Sequence, residues 1–114
     1  MIALPFSRSE YERRLRAIRG EMERRGLDLL VVNDIANQHY ITGYDGWSFY
    51  TPQAVLVPLA DGDPVWVGRA MDAAGGRLTA WMEPENIVGF PESYVQRADR
   101  HPMDWVAEWI RARG

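Results

Sequence analysis

The chain has 114 residues, 46% of them hydrophobic and 25% charged, with a net charge of −3 and no cysteine. That length fits one domain with a core of its own, and the slightly acidic balance excludes nucleic acid as the main partner, since neutralising phosphates needs a basic face. The lack of cysteine excludes a disulfide framework, a thiolate nucleophile and a zinc-finger site, and no apolar run approaches the ~18 residues of a membrane span.

The start M-I-A-L-P-F lacks the basic-then-apolar pattern of a signal peptide, so a cytoplasmic location is the expectation. Residues 7–25 predict an amphipathic helix. Ser7 and Glu10 stand at capping-box spacing, and Phe6 and Tyr11 at the spacing of a hydrophobic staple. Tyr11, Leu15, Ile18 and Met22 recur at three- and four-residue steps on one face. Glu12, Arg13, Arg16, Arg19 and Glu23 occupy the other, which reads as a solvated face rather than an anion site. Gly26 supplies a left-handed stop. Leu27–Val32 is a short continuous apolar run, the pattern of a buried strand at the centre of a sheet. Helix, glycine turn and buried strand together point to α/β layers.

Asp34 is placed to cap a short helix through Ala36, Asn37, Tyr40 and Ile41, which Gly43 ends. Across Asn37–Gln53 the chain then becomes unusually aromatic, with Tyr40, Tyr44, Trp47, Phe49 and Tyr50 around Gly43, Asp45 and Gly46. Neither the helical nor the strand period fits the whole stretch. Such a segment shapes a pocket or an interface, or folds its rings back onto its own core. Beyond it, Ala54–Leu59 and Pro64–Val67 read as two strands joined through Ala60-Asp61-Gly62-Asp63, a hairpin. Arg69–Leu78 is a poor helix, because Gly75 and Gly76 each cost about 1 kcal/mol relative to alanine. Asn86–Phe90 reads as a short strand, Pro91–Arg100 as a polar loop, and His101-Pro102 as the start of a last helix that places Val106, Trp109 and Ile110 on one face with Trp105 at its border. The strands Leu27–Val32 and Ala54–Val67 are expected to share one mixed sheet with helices on its faces.

No catalytic constellation is visible in this pattern. Gly46-Trp47-Ser48-Phe49-Tyr50 comes near a nucleophile elbow but lacks the second glycine, so Ser48 has no context as a nucleophile. The two histidines, His39 and His101, are far apart, and no closely spaced ligand set exists. Asp34, His39 and Asp45 are better read as a helix cap, a surface histidine and a turn aspartate than as metal ligands. Asp61 and Asp63 around Gly62 offer too few oxygens for calcium. Glycine-rich phosphate loops are absent, and Gly75-Gly76 alone is weak.

The segments L-P-F-S-R-S-E-Y-E-R-R-L, R-R-G-L-D-L-L-V-V and N-Q-H-Y-I-T-G-Y resemble the amino-terminal domain of the creatinase/prolidase family, the pita-bread hydrolases that include prolidase, Xaa-Pro aminopeptidase, creatinase and ectoine hydrolase. The resemblance runs from Pro5 to about Gly114, and D-G-W-S-F-Y-T-P-Q looks most like the creatinase and ectoine hydrolase branch. It implies a mixed sheet with flanking helices, ribonuclease H-like in fold, spanning residues 1–114. It also implies that this chain holds no cofactor and no catalytic residue. The chemistry would lie in a carboxy-terminal catalytic domain of the same polypeptide, where family peptidases hold two divalent metal ions (Mn, Co or Zn), whereas creatinase uses a histidine base without metal. The domain would make homodimer contacts. In creatinase, a phenylalanine and an arginine two residues later reach into the neighbouring subunit's active site. Phe49 falls at that phenylalanine and Thr51 at the arginine. Threonine has no bidentate fork for a carboxylate, which argues against creatine and leaves ectoine-like compounds and X-Pro dipeptides. Trp47, Phe49, Tyr50 and Thr51 are therefore the expected substrate-shaping residues, acting in trans. The alternative is a stand-alone module that binds a small molecule or a protein through the aromatic loop.

Overall fold

A computed structural model describes residues 6–44, 46, 52–60, 62–94, 99 and 101–113. The elements follow in the order α1 (Arg8–Arg25), β1 (Leu29–Val32), α2 (Ile35–Thr42), β2 (Ala54–Pro58), β3 (Val65–Arg69), α3 (Ala70–Thr79), β4 (Ile87–Phe90) and α4 (Pro102–Arg113). Two short 3-10 turns, Pro84–Asn86 and Glu92–Tyr94, flank β4, the second inside the stretch expected to be loop.

Local signals set the helix ends. The Ser7 hydroxyl accepts the Glu10 N–H, the Phe6 and Tyr11 rings meet edge-on at 6.3 Å, and Gly26 stops α1 at φ 68°. At α2, Asp34 accepts the Asn37 N–H, and Gly43 ends the helix at φ 81°. Both glycines occupy the left-handed region that other residues enter only at a cost.

The sheet order is β1-β2-β3-β4. The first two pairings are antiparallel and β3–β4 is parallel, with α3 as the crossover. Side chains alternate cleanly between its faces. Leu30, Val32, Val55, Val57, Trp66 and Ile87 join Tyr11, Leu15 and Met22 of α1 and Ala73 of α3 in one core. On the opposite face, Ala54, Leu56, Val65, Val67 and Phe90 meet Val106 of α4 in a second. A mixed sheet between helices is thus the architecture, as the sequence pattern implied.

One expectation is overturned. The apolar run ending in Val32 forms not a central strand but an edge of the described sheet, and Val31 is 38% exposed. A continuous apolar run shows a preference for burial; it neither ensures cover on both faces nor counts hydrogen-bonded neighbours. Leu29 packs against the second core, whereas Val31 stays exposed.

The glycine-containing α3 forms in spite of its propensity. Gly76 is buried, and a Cβ there would stand 3.0 Å from Ile87 Cγ2. The close approach of α3 to β4 compensates for a weak local preference.

Candidate functional site

The stretch that carries the sequence resemblance, Asn37 to Gln53, starts on α2 and ends at β2. Within it, residues 45 and 47–51 lie outside the described residues. So do the four expected substrate-shaping side chains Trp47, Phe49, Tyr50 and Thr51, together with Asp45 and Ser48. The flanks on both sides, 37–44 with 46 and 52–53, are described.

The flank leaving α2 is held residue by residue. Ile41 O accepts the Trp81 indole N–H at 2.8 Å, and Thr42 O accepts the Trp81 backbone N–H at 3.0 Å. One tryptophan from the far side of α3 thereby satisfies two of the carbonyls a helix end leaves open. The Thr42 hydroxyl donates back to Gln38 O at 2.8 Å and accepts the Tyr44 N–H at 3.0 Å, so it carries the chain around the Gly43 turn. Tyr44 then lays its ring edge-on against Trp66 at 5.4 Å and donates its hydroxyl to Asp72 O. Burial pushes the Tyr44 phenol above its ordinary value, with the Asp72 carboxylate adding to the effect. The ring stays neutral and serves as a wall. A Cβ at Gly46 would fall 1.9 Å from Tyr44 Oη, so only glycine fits beneath it.

The other flank enters β2 through Gln53. Gln38 and Gln53 are both buried and joined side chain to side chain. Gln53 Nε2 donates to Gln38 Oε1 at 2.7 Å and to Gly46 O at 2.9 Å. Gln38 Nε2 donates to Val32 O at 3.0 Å and to Gln53 O at 3.2 Å.

A second junction ties α1 to α2. Arg14, 8% exposed, packs its guanidinium 4.5 Å from the Phe6 ring centroid and 4.3 Å from that of Tyr40, while donating to Glu10 and to Tyr40 O. Helical periodicity did not assign Arg14 to either face. Its partners Glu10 and Tyr11, the latter with its ring centroid 5.2 Å from the guanidinium, stand at helical spacing, but Tyr40 does not. Hydrogen bonds from Arg13 and Arg14 hold the Glu10 carboxyl down to about 2, below its ordinary value. Arg19, predicted to be solvated, donates to Pro58 O and Gly62 O and straps α1 across the hairpin.

Among the described residues no three His, Asp, Glu or Cys side chains gather as a metal site. Asp34 is the α2 cap and His39 lies mid-helix, with its carbonyl accepting the Gly43 N–H. A cavity of about 400 Å³ opens at the β1 edge between α1 and α2, lined by Ile18, Leu30, Val32 and Tyr40 with Asn37 and Asp34. Among its described lining residues, Asp34, the α2 cap, is the one carboxylate. In Asn37-x-x-Tyr40-x-Thr42-Gly43-Tyr44, the contacts of Tyr40 through Tyr44 shape the path of the backbone.

Comparison with known proteins accords with these features. The Creatinase/Prolidase N-terminal domain family matches residues 14–113. The chain belongs to that family. The domain is 53% identical over 109 residues to the ectoine hydrolase of Halomonas elongata, covering 96% of this chain and 27% of that protein. It is 40% identical over 111 residues to an uncharacterized hydrolase/peptidase of Sinorhizobium fredii, covering 96% of this chain and 28% of that one. It therefore spans little more than a quarter of the length of these relatives. Among solved structures, an Xaa-Pro aminopeptidase from Streptococcus pyogenes superposes with a TM-score of 0.66 at 20% identity, over 94% of this chain and 70% of the other. The creatinase/prolidase amino-terminal domain of an X-Pro dipeptidase from the same species gives 0.65 at 20% identity, over 82% and 64%. At such identities the structures speak for the fold, and they agree with the mixed sheet and flanking helices found here. No helix among the described residues is long and apolar enough to cross a membrane.

Proposed function

We propose that this chain is the non-catalytic amino-terminal domain of a hydrolase that opens a C–N bond in ectoine or a closely related compound. The observation that carries this reading is the 53% identity over 109 residues with an ectoine hydrolase. The chain covers only 27% of that enzyme, which supports assigning the chemistry to a further domain. On this reading a carboxy-terminal domain of the same polypeptide performs the reaction, with two divalent metal ions if it follows the peptidases of the family. No step involving metal is assigned to residues of this chain. A cytoplasmic homodimer fits the reading.

Within such a dimer, Trp47, Phe49 and Tyr50 act as an apolar lid over the partner subunit's active site, excluding water and setting the pocket size, with Thr51 beside them. Aromatic faces suit the flat amidinium of ectoine. Thr51 in place of an arginine argues against creatine.

The test is hydrolysis of ectoine, creatine and an X-Pro dipeptide, with divalent metal supplied, by the full-length polypeptide and by the 114-residue chain. Ectoine turnover by the full-length form alone is the expected result. Turnover by the short chain, or a full-length preference for the dipeptide, would overturn the reading. Phe49→Ala in the full-length form is expected to lower kcat/KM for ectoine by about tenfold or more, the scale of a misplaced substrate. Unchanged activity would remove the lid.

A further inference from the structure

Gln38 and Gln53 are an unexpected choice for a buried junction. Leucine or methionine would fill a similar volume without needing any partner, and an unsatisfied buried amide is costly. Here every amide hydrogen is used. Each Nε2 faces two oxygen acceptors, at 3.0 and 3.2 Å for Gln38 and at 2.7 and 2.9 Å for Gln53. Turning either amide over would set its oxygen against those acceptors, so the network permits one orientation of each.

The acceptors reveal what the pair holds. Val32 O belongs to the last residue of β1, Gly46 O to the exit from α2, and Gln53 O to the entry into β2. Three segments distant in sequence thus converge on two side chains. The pair is itself fixed from behind, because the Thr42 hydroxyl bonds Gln38 O and the Tyr44 ring confines Gly46.

We propose that Gln38 and Gln53 form a positioning clamp that sets where the chain departs at Gly46 and where it returns at Gln53. The clamp follows from the hydrogen bonds alone. Its purpose, aiming Trp47, Phe49 and Tyr50 at a substrate, rests on the function proposed above.

The experiment has two arms. The first measures chymotryptic cleavage of the 114-residue chain at Trp47, Phe49 and Tyr50 against cleavage at its other aromatic residues, for the wild type and Gln53→Leu. Cleavage within 47–50 is expected to rise about tenfold while other sites change little, the mark of local rather than global opening. Unchanged cleavage there in a folded variant overturns the clamp. A uniform rise at all aromatic sites does the same, because it reduces the pair to ordinary core. Should Gln53→Leu fail to fold, Gln53→Asn decides on the same terms: it keeps the amide but is one methylene too short to reach both Gln38 and Gly46. The second arm measures ectoine kinetics of the full-length polypeptide, where Gln53→Leu is expected to raise KM about tenfold with a smaller change in kcat. A loosened segment with unchanged KM overturns the substrate role and keeps the clamp. Absence of ectoine turnover in the wild type overturns the proposed function instead, and the cleavage result stands independently of it.

Discussion

On one face of the sheet, Tyr11, Met22, Trp66 and Ile87 are at most 2% exposed beneath α1, α3 and the end of α2. On the other, Phe90 and Val106 are just as buried, but Met103, Trp105, Trp109 and Ile110 of α4 are only half-buried. The faces also differ in their polar ties. The first is crossed by hydrogen bonds that join distant segments: Arg14 to Tyr40, Trp81 to Ile41, Tyr44 to Asp72, and Gln38 to Gln53. Among the described residues the side-chain hydrogen bonds of α4 stay at its own start, between His101, Met103 and Asp104. Apolar burial is non-directional, so it holds α4 on the sheet without dictating its placement to a fraction of an ångström. Directional bonds do dictate placement, and they cluster where the chain enters and leaves the aromatic segment.

The strongest test of that contrast compares tryptophans. Trp66→Ala is expected to cost about 3–5 kcal/mol, as for large core truncations, whereas Trp109→Ala should cost less than about 1.5 kcal/mol because its ring is only half-buried. Urea unfolding followed by circular dichroism measures both. Equal losses would mean that the α4 face is as tightly built as the other.

Next comes the seam between α3 and β4. A Cβ at Gly89 would stand 2.6 Å from Ala70 Cα, a backbone atom that cannot swing aside. Gly89→Ala is expected to cost about 1–3 kcal/mol by overpacking, read from the same unfolding curves. The opposite sign is expected at Gly20, inside α1, where an added Cβ meets nothing within 4 Å. Gly20→Ala should stabilise by about 0.5–1 kcal/mol, seen as a raised thermal midpoint.

The smallest effect concerns acid. Arg13 and Arg14 lower the Glu10 carboxyl from 4.5 to about 2. A lowered folded-state value means that this group's contribution is complete above 4.5 and is lost as pH falls through about 2. The stability difference between the wild type and Glu10→Gln should therefore shrink as pH is lowered across that window, and shrink further with added salt, because the pair is near the surface. A difference independent of pH would show that Glu10 acts through packing alone.

Much of this domain is legible in the amino-acid sequence. Ser7 with Glu10, Gly26, Asp34 with Gly43, and the turn around Gly62 mark element ends through contacts between residues close along the chain. Two apolar runs on either side of that turn predict the hairpin of β2 and β3. The resemblance carried by Asn37–Tyr44 points to the right family. The aromatic residues 47, 49 and 50 stand out by composition alone, but nothing in the sequence signals the frame around them. Gln38 and Gln53 look like ordinary polar residues on a short helix and before a strand.

Propensity, period and short-range capping were enough to mark the four helices and four strands among the described residues and their order, and the matching residues were enough for the family. Only the tertiary structure decided that β1 lies at an edge, that Arg14 is buried between two helices, that Trp81 closes the end of α2, and that two glutamines tie the flanks of the aromatic segment. Those outcomes depend on which distant groups meet. A hydrogen bond between Gln38 and Gln53, or between Trp81 and Ile41, leaves no periodic trace along the chain, since its geometry exists only after the sheet has brought the partners together.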